Sequence, residues 1–139
     1  MRPALAVFCL FTALACDNGV VVLNVAPAVT AVGPVVSEAD GLHVFVWLRD
    51  HERQPIELGV VLTQNGAASA IVRAGGHGLT GLTSSREETG EPHEFIVDSA
   101  DFDPALPLVL RVTPVDTEGA AGVVFVTPEF AVQDGLPTP

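Results

Sequence analysis

Alternation of apolar and polar positions dominates the chain from residue 28 onward. Leu42, Val44, Val46 and Leu48 occupy every second place, as do Ile56, Leu58, Val60 and Leu62, and then Leu108, Leu110 and Val112. Side chains two apart project from the same face of a strand, so each row predicts a strand with one face on a core. No stretch past the N-terminal leader sustains the 3.6-residue spacing of an amphipathic helix. The runs predict strands over residues 28–35, 42–49, 56–63, 68–73, 93–98, 108–115 and 123–132. Asn65-Gly66 predicts a two-residue type I′ hairpin between the third and fourth of these, because both residues accept positive φ angles. Gly119 can take a left-handed conformation in the turn after Asp116, so the last two strands are expected to pair antiparallel. The whole is an all-β pattern of short strands bounded by Gly, Pro and Asp, as in a sandwich. The second row of the 42–49 strand, His43, Phe45, Trp47 and Arg49, is also largely apolar. That face is either partly covered or a binding surface, which makes Phe45 a candidate contact residue.

The N-terminus follows another pattern. Arg2 precedes an apolar stretch over residues 4–15, and Ala13-Leu14-Ala15 stands immediately before Cys16. A twelve-residue apolar run is too short to span a bilayer, which takes about 20 residues, but it suits a secretory leader with small residues at its cut. These residues resemble a bacterial lipoprotein signal sequence. The resemblance implies cleavage between Ala15 and Cys16 and a lipid on the Cys16 thiol, with palmitate among the acyl chains expected. Ala13-Leu14-Ala15 also satisfies the ordinary A-x-A rule, so secretion without lipid, cut at the same bond, is the alternative. Against it, an exported chain seldom keeps a lone reactive thiol. Cys9 would leave with the leader, so no disulfide is expected and stability must come from the core. The expected organisation is a signal peptide over residues 1–15, a lipid-anchored tether over 16–24, one sandwich domain over 25–133 and a C-terminal tail over 134–139. The expected location is the cell envelope, anchored to the inner or outer membrane and facing the periplasm or the cell surface.

Charge narrows the partners. The chain carries 17 acidic residues against 6 basic ones, all arginine, for a net charge of −11. Phosphate backbones require clustered cations, and Arg49, Arg53, Arg73, Arg86 and Arg111 are scattered, so nucleic acid is not an expected partner. The partners expected are the membrane, through the lipid, and another envelope or surface protein.

Candidate chemistry is sparse. The histidines His43, His51, His77 and His93 form no zinc-protease motif and read as surface or strand-edge residues. Serines 37, 69, 84, 85 and 99 lie in no nucleophile elbow. No cofactor is expected, and no catalytic apparatus is visible. Residues 74–92 are rich in Gly, Ser and Thr around His77, Leu79 and Leu82, and a loop of this length is either disordered or functional. His77, Leu79 and Leu82 are therefore candidate contact residues. Asp98, Asp101 and Asp103 are calcium candidates, since calcium takes oxygen ligands from such loops, although their spacing fits no EF-hand and ordinary turn acids account for them as well.

Trp47, followed by Pro55-Ile56, and later Phe102-Asp103-Pro104, Leu108, Leu110-Arg111-Val112, Val115-Asp116 and Gly119, together resemble a fibronectin type III domain over residues 27–132. The resemblance implies a seven-stranded, immunoglobulin-like antiparallel sandwich with Trp47 in its core. Leu108 stands where the family carries its corner tyrosine, and Pro114 lies in a normally central strand, where a local break is expected. The family is non-catalytic, so the expected role is a protein-interaction, adhesion or structural module. A calcium- or small-ligand-binding accessory protein is the alternative.

Overall fold

The computed structural model describes residues 23–70, 75–98, 100, 102–103 and 105–134. The expected cleavage and lipidation residues Ala15 and Cys16, and the calcium candidate Asp101, lie outside the described residues. Nine strands follow in chain order: β1 (Ala28–Glu38), β2 (Gly41–Arg49), β3 (Ile56–Gln64), β4 (Ala67–Ala70), β5 (Gly75–Gly76), β6 (Glu91–Val97), β7 (Leu108–Asp116), β8 (Phe125–Val126) and β9 (Gln133–Asp134). They form one sheet in the order β5-β6-β2-β1-β9 and a second in the order β4-β3-β7-β8. Among the described residues there is no helix, so none crosses a membrane. The all-β sandwich is thus observed, with nine strands among the described residues in place of seven. The expected last strand, 123–132, is reduced to β8, and β9, just beyond it, crosses to the other sheet and pairs parallel with the end of β1.

Alternation placed the core correctly. Val44, Val46, Leu48, Ile56, Leu62, Leu110 and Val112 are fully buried, with Phe95 between them from β6. At about 25 cal/mol per Å² of apolar area removed from water, each such side chain stabilises the sandwich by about 1.5–3 kcal/mol. Asn65 and Gly66 take φ 51° and 78°, the pair of positive angles that a type I′ turn requires, and they join β3 to β4. The pairing of β7 with β8 is antiparallel, as expected.

Two expectations are corrected. Pro114 does not break its strand on the β3 side, where the register runs unbroken from Asp116 to Leu108. Leu108, Leu110 and Asp116 turn their backbone groups towards the C-terminal segment: Leu108 N–H donates to Phe130 O, Thr127 N–H to Leu110 O and Asp116 N–H to Ala120 O. Pro114 belongs to this set, accepting from Gly122 N–H. Its missing donor therefore faces the edge, where β8 holds only a two-residue ladder. Trp47 is also not in the core. It shares the outer face of β2 with His43 and Phe45, half-buried, its ring lying over Gly33 of β1. Because Leu42, Val44, Val46 and Leu48 take the inner face, the odd-numbered neighbours must face out.

The long 74–92 segment packs against both sheets, from residue 75 on. Leu82 exchanges backbone hydrogen bonds with Ile56 at 2.8 and 3.0 Å, and Leu58 N–H donates to Leu79 O at 2.8 Å. On the β2 side Asp50 N–H donates to Ser85 O, and Ser85 N–H to Leu48 O. Beyond β4, which pairs with residues 61–64 of β3, the segment covers the rest of that strand's free edge, a site of unwanted pairing if left bare.

Candidate functional site

The sandwich has two ends of different character, fixed by the direction of β1. At its first end Asn24 Nδ2 donates to Asp116 Oδ2 at 2.7 Å, so the chain leading into β1 is tied beside the turn after β7. At the far end lies the two-residue loop Ala39-Asp40 joining β1 to β2. Eleven residues of strand at about 3.3 Å each separate the two ends by about 35 Å.

A close-set group of titratable side chains sits at the far end. His43 faces outward from β2, its side chain only 12% exposed. Its Nδ1 lies 2.6 Å from Glu94 Oε1 on β6, and its Nε2 lies 2.8 Å from Asp40 Oδ1 and 3.7 Å from Glu38 Oε2. The register explains the set. Glu94 pairs with Phe45, which makes it the diagonal neighbour of His43 on the same face. Glu38 pairs with Gly41 across the hairpin, and Asp40 stands between them in the loop. Gly41 is required there: at φ 144° a Cβ would overlap the Val97 carbonyl oxygen on β6.

The hydrogen bond to Asp40, then that to Glu94, hold the His43 imidazole above its ordinary pKa of 6.5, with burial opposing and the Glu38 and Asp40 charges adding to the rise. A raised folded-state pKa contributes stability that is complete below the unfolded value and is lost as pH rises through the folded one. Denaturant titrations in EDTA should therefore show the stability difference between wild type and His43→Gln shrinking as pH rises from about 6 to 9. A difference independent of pH would overturn the protonated assignment.

The remaining sequence candidates fall elsewhere. Asp98 Oδ1 accepts from Ala100 N–H at 3.0 Å, and Asp103 Oδ1 from Ala105 N–H at 2.9 Å. These are turn contacts, and among the described residues the close-set donor group is Glu38, Asp40 and His43 instead. In the 74–92 segment Leu82 is buried, and Leu79 is half-buried and packs against the core. His77 is exposed and Phe45 half-buried. His93, expected at the surface or a strand edge, is buried in β6 between β5 and β2.

His77 and His93 do share a depression of about 400 Å³ with Glu91 and Thr83. His93 Nε2 lies 2.8 Å from the Thr83 carbonyl oxygen and so donates, while His77 Nδ1 accepts from Glu94 N–H at 3.3 Å. One nitrogen of each ring is thereby committed to backbone. Sequence reasoning missed the His43 group because its members come from three hairpin positions and a strand some fifty residues away. The signal available was Glu38-x-Asp40-x-x-His43 across a tight turn. The chain matches no protein-family model, no curated protein and no solved structure.

Proposed function

We propose that this chain is a lipid-anchored, non-catalytic cell-envelope protein whose immunoglobulin-like, fibronectin III-like sandwich serves as a protein-interaction, adhesion or structural module. The observation that carries the reading is strand order. Lettered in sequence, β1-β2-β6-β5 corresponds to the A-B-E-D sheet of an immunoglobulin-type sandwich, and β4-β3-β7-β8 to a C-F-G sheet with an added C′ strand. Such sandwiches present loops at two ends and sheet faces between them, and they carry function on those surfaces. The outward His43, Phe45 and Trp47 row is the half-apolar face here.

The anchor rests on Cys16 and the leader before it. Asn24, docked on Asp116, lies eight residues beyond Cys16, so a lipid there would hold the entry end at the bilayer and turn the β1–β2 loop away from it. Each buried methylene of the anchor adds about 0.8 kcal/mol of membrane affinity. The test is the intact mass of the mature protein from its native membranes beside a Cys16→Ala variant. Acylation at Cys16, with the variant unprocessed or mislocalised, is the expected result. A soluble, unmodified product beginning at Cys16 would replace the anchor with secretion.

A further inference from the structure

We propose that Glu38, Asp40 and His43 form a binding site for a first-row divalent cation of the Zn²⁺ class, with Glu94 as the residue that orients the imidazole. The site goes beyond the proposed function and does not depend on the lipid anchor.

Geometry carries the proposal. One donor atom from each of Glu38, Asp40 and His43 lies within 4.8 Å of the others. Two ligand atoms each about 2.1 Å from one ion stand about 3.0–3.4 Å apart in octahedral or tetrahedral geometry. The Nε2 distances of 2.8 Å to Asp40 and 3.7 Å to Glu38 bracket that spacing, and the two carboxylate oxygens, within 4.8 Å of each other, close on an ion by rotation of exposed side chains. The second feature lies outside the donor trio. A metal-bound histidine ordinarily gives its other ring N–H to a carboxylate, which fixes the ring and makes the bound nitrogen more basic. Glu94, on the neighbouring strand, occupies that position on Nδ1 at 2.6 Å and leaves Nε2 facing the two carboxylates.

The backbone is set in advance. Glu38, Gly41 and His43 are in ladder positions, and the close approach of Gly41 to Val97 pins the hairpin against β6. Only the Glu38 and Asp40 side chains, 52% and 62% exposed, need settle. That exposure leaves coordination positions open to water or to a ligand from a partner.

Donor type selects the ion. Calcium and magnesium take oxygen ligands in sets of six or more, whereas one imidazole and two carboxylates suit zinc, manganese or iron. The ion displaces the proton shared between Nε2 and Asp40, which passes to solvent. Three carboxylates around a single imidazole, on a chain of net charge −11, favour a dication electrostatically.

The test is calorimetric titration of the full-length chain, its cysteine thiols alkylated so that they cannot bind metal, with Zn²⁺, Mn²⁺ and Ca²⁺ at a pH of about 8, above the ordinary imidazole range. One Zn²⁺ per chain is expected. Asp40→Asn, an exposed change that leaves the core intact, and His43→Gln should each weaken binding at least about tenfold, and Glu94→Gln by about 10–100-fold. Zn²⁺ should also shift the His43 ring nitrogen resonances. Unchanged affinity in Asp40→Asn and His43→Gln, no binding at all, or Ca²⁺ binding as tight as Zn²⁺ would each overturn the site.

Discussion

Gly122→Ala should destabilise the protein by about 3 kcal/mol or more, at the upper end of overpacking effects, and lower its midpoint of thermal unfolding by roughly 10 °C. A Cβ at this position would overlap the Pro27 carbonyl oxygen and stand 2.9 Å from Pro114 Cγ. Neither neighbour can yield cheaply. Pro27 leads directly into β1, and Pro114 is held in the β3–β7 ladder. Moving residue 122 instead would break its 2.8 Å hydrogen bond to Pro114 O, the bond that closes this edge where the ladder with β8 has ended. Gly59→Ala is the control. That glycine lies in β3 with nothing nearer than 3.8 Å to a new Cβ, so alanine should be neutral or stabilising by a few tenths of a kcal/mol through the unfolded state. Circular dichroism melts of the two variants settle the matter. Equal midpoints would mean that the approach of residues 27 and 122 is not a constraint on the fold.

Asp116→Ala should cost about 2–4 kcal/mol at neutral pH, since it removes three part-buried hydrogen bonds to a charged acceptor. The carboxylate is nearly fully buried at 5% exposure. Its Oδ1 accepts from Glu118 N–H at 2.9 Å and Ala120 N–H at 2.8 Å, and its Oδ2 accepts from Asn24. One side chain thus closes the turn after β7 and ties down the incoming chain. Burial alone would raise its pKa, but the hydrogen bonds from Asn24, Ala120, Glu118 and Gly119 outweigh it and hold the carboxyl below its ordinary 3.8. A depressed folded-state pKa contributes stability that is present above the unfolded value and lost as pH falls through the folded one. The penalty of Asp116→Ala should therefore be largest near neutrality and shrink below pH about 4. Denaturant unfolding of both proteins across that range is the check, and a penalty that stayed constant into acid would show that the charge contributes nothing.

Both effects concern the end where the chain enters, and neither residue stands out in the sequence as more than a turn former. Gly122 is one of 13 glycines, and its significance comes from a neighbour 95 positions away. Asp116 is recognisable as a turn acid, but its bond to Asn24 spans 92 positions. The His43 group is similar. The sequence shows an acidic turn followed by a histidine, while Glu94, which orients the ring, arrives only through the pairing of β2 with β6.

What the sequence determined by itself was the local pattern. Period-two alternation assigned the core faces of β2, β3 and β7, because a side chain's face depends only on its parity along the strand. Asn65-Gly66 dictated its hairpin through backbone sterics alone. Tertiary structure decided everything that depends on which strands become neighbours. It laid the Trp47 ring over Gly33 of β1, placed Pro114 with its missing donor at an edge, drew Leu82 inside from a loop of polar composition, and collected Glu38, Asp40, His43 and Glu94 at one end. Those outcomes rest on contacts between residues far apart in the chain, and such contacts leave no periodic trace in the order of the amino acids.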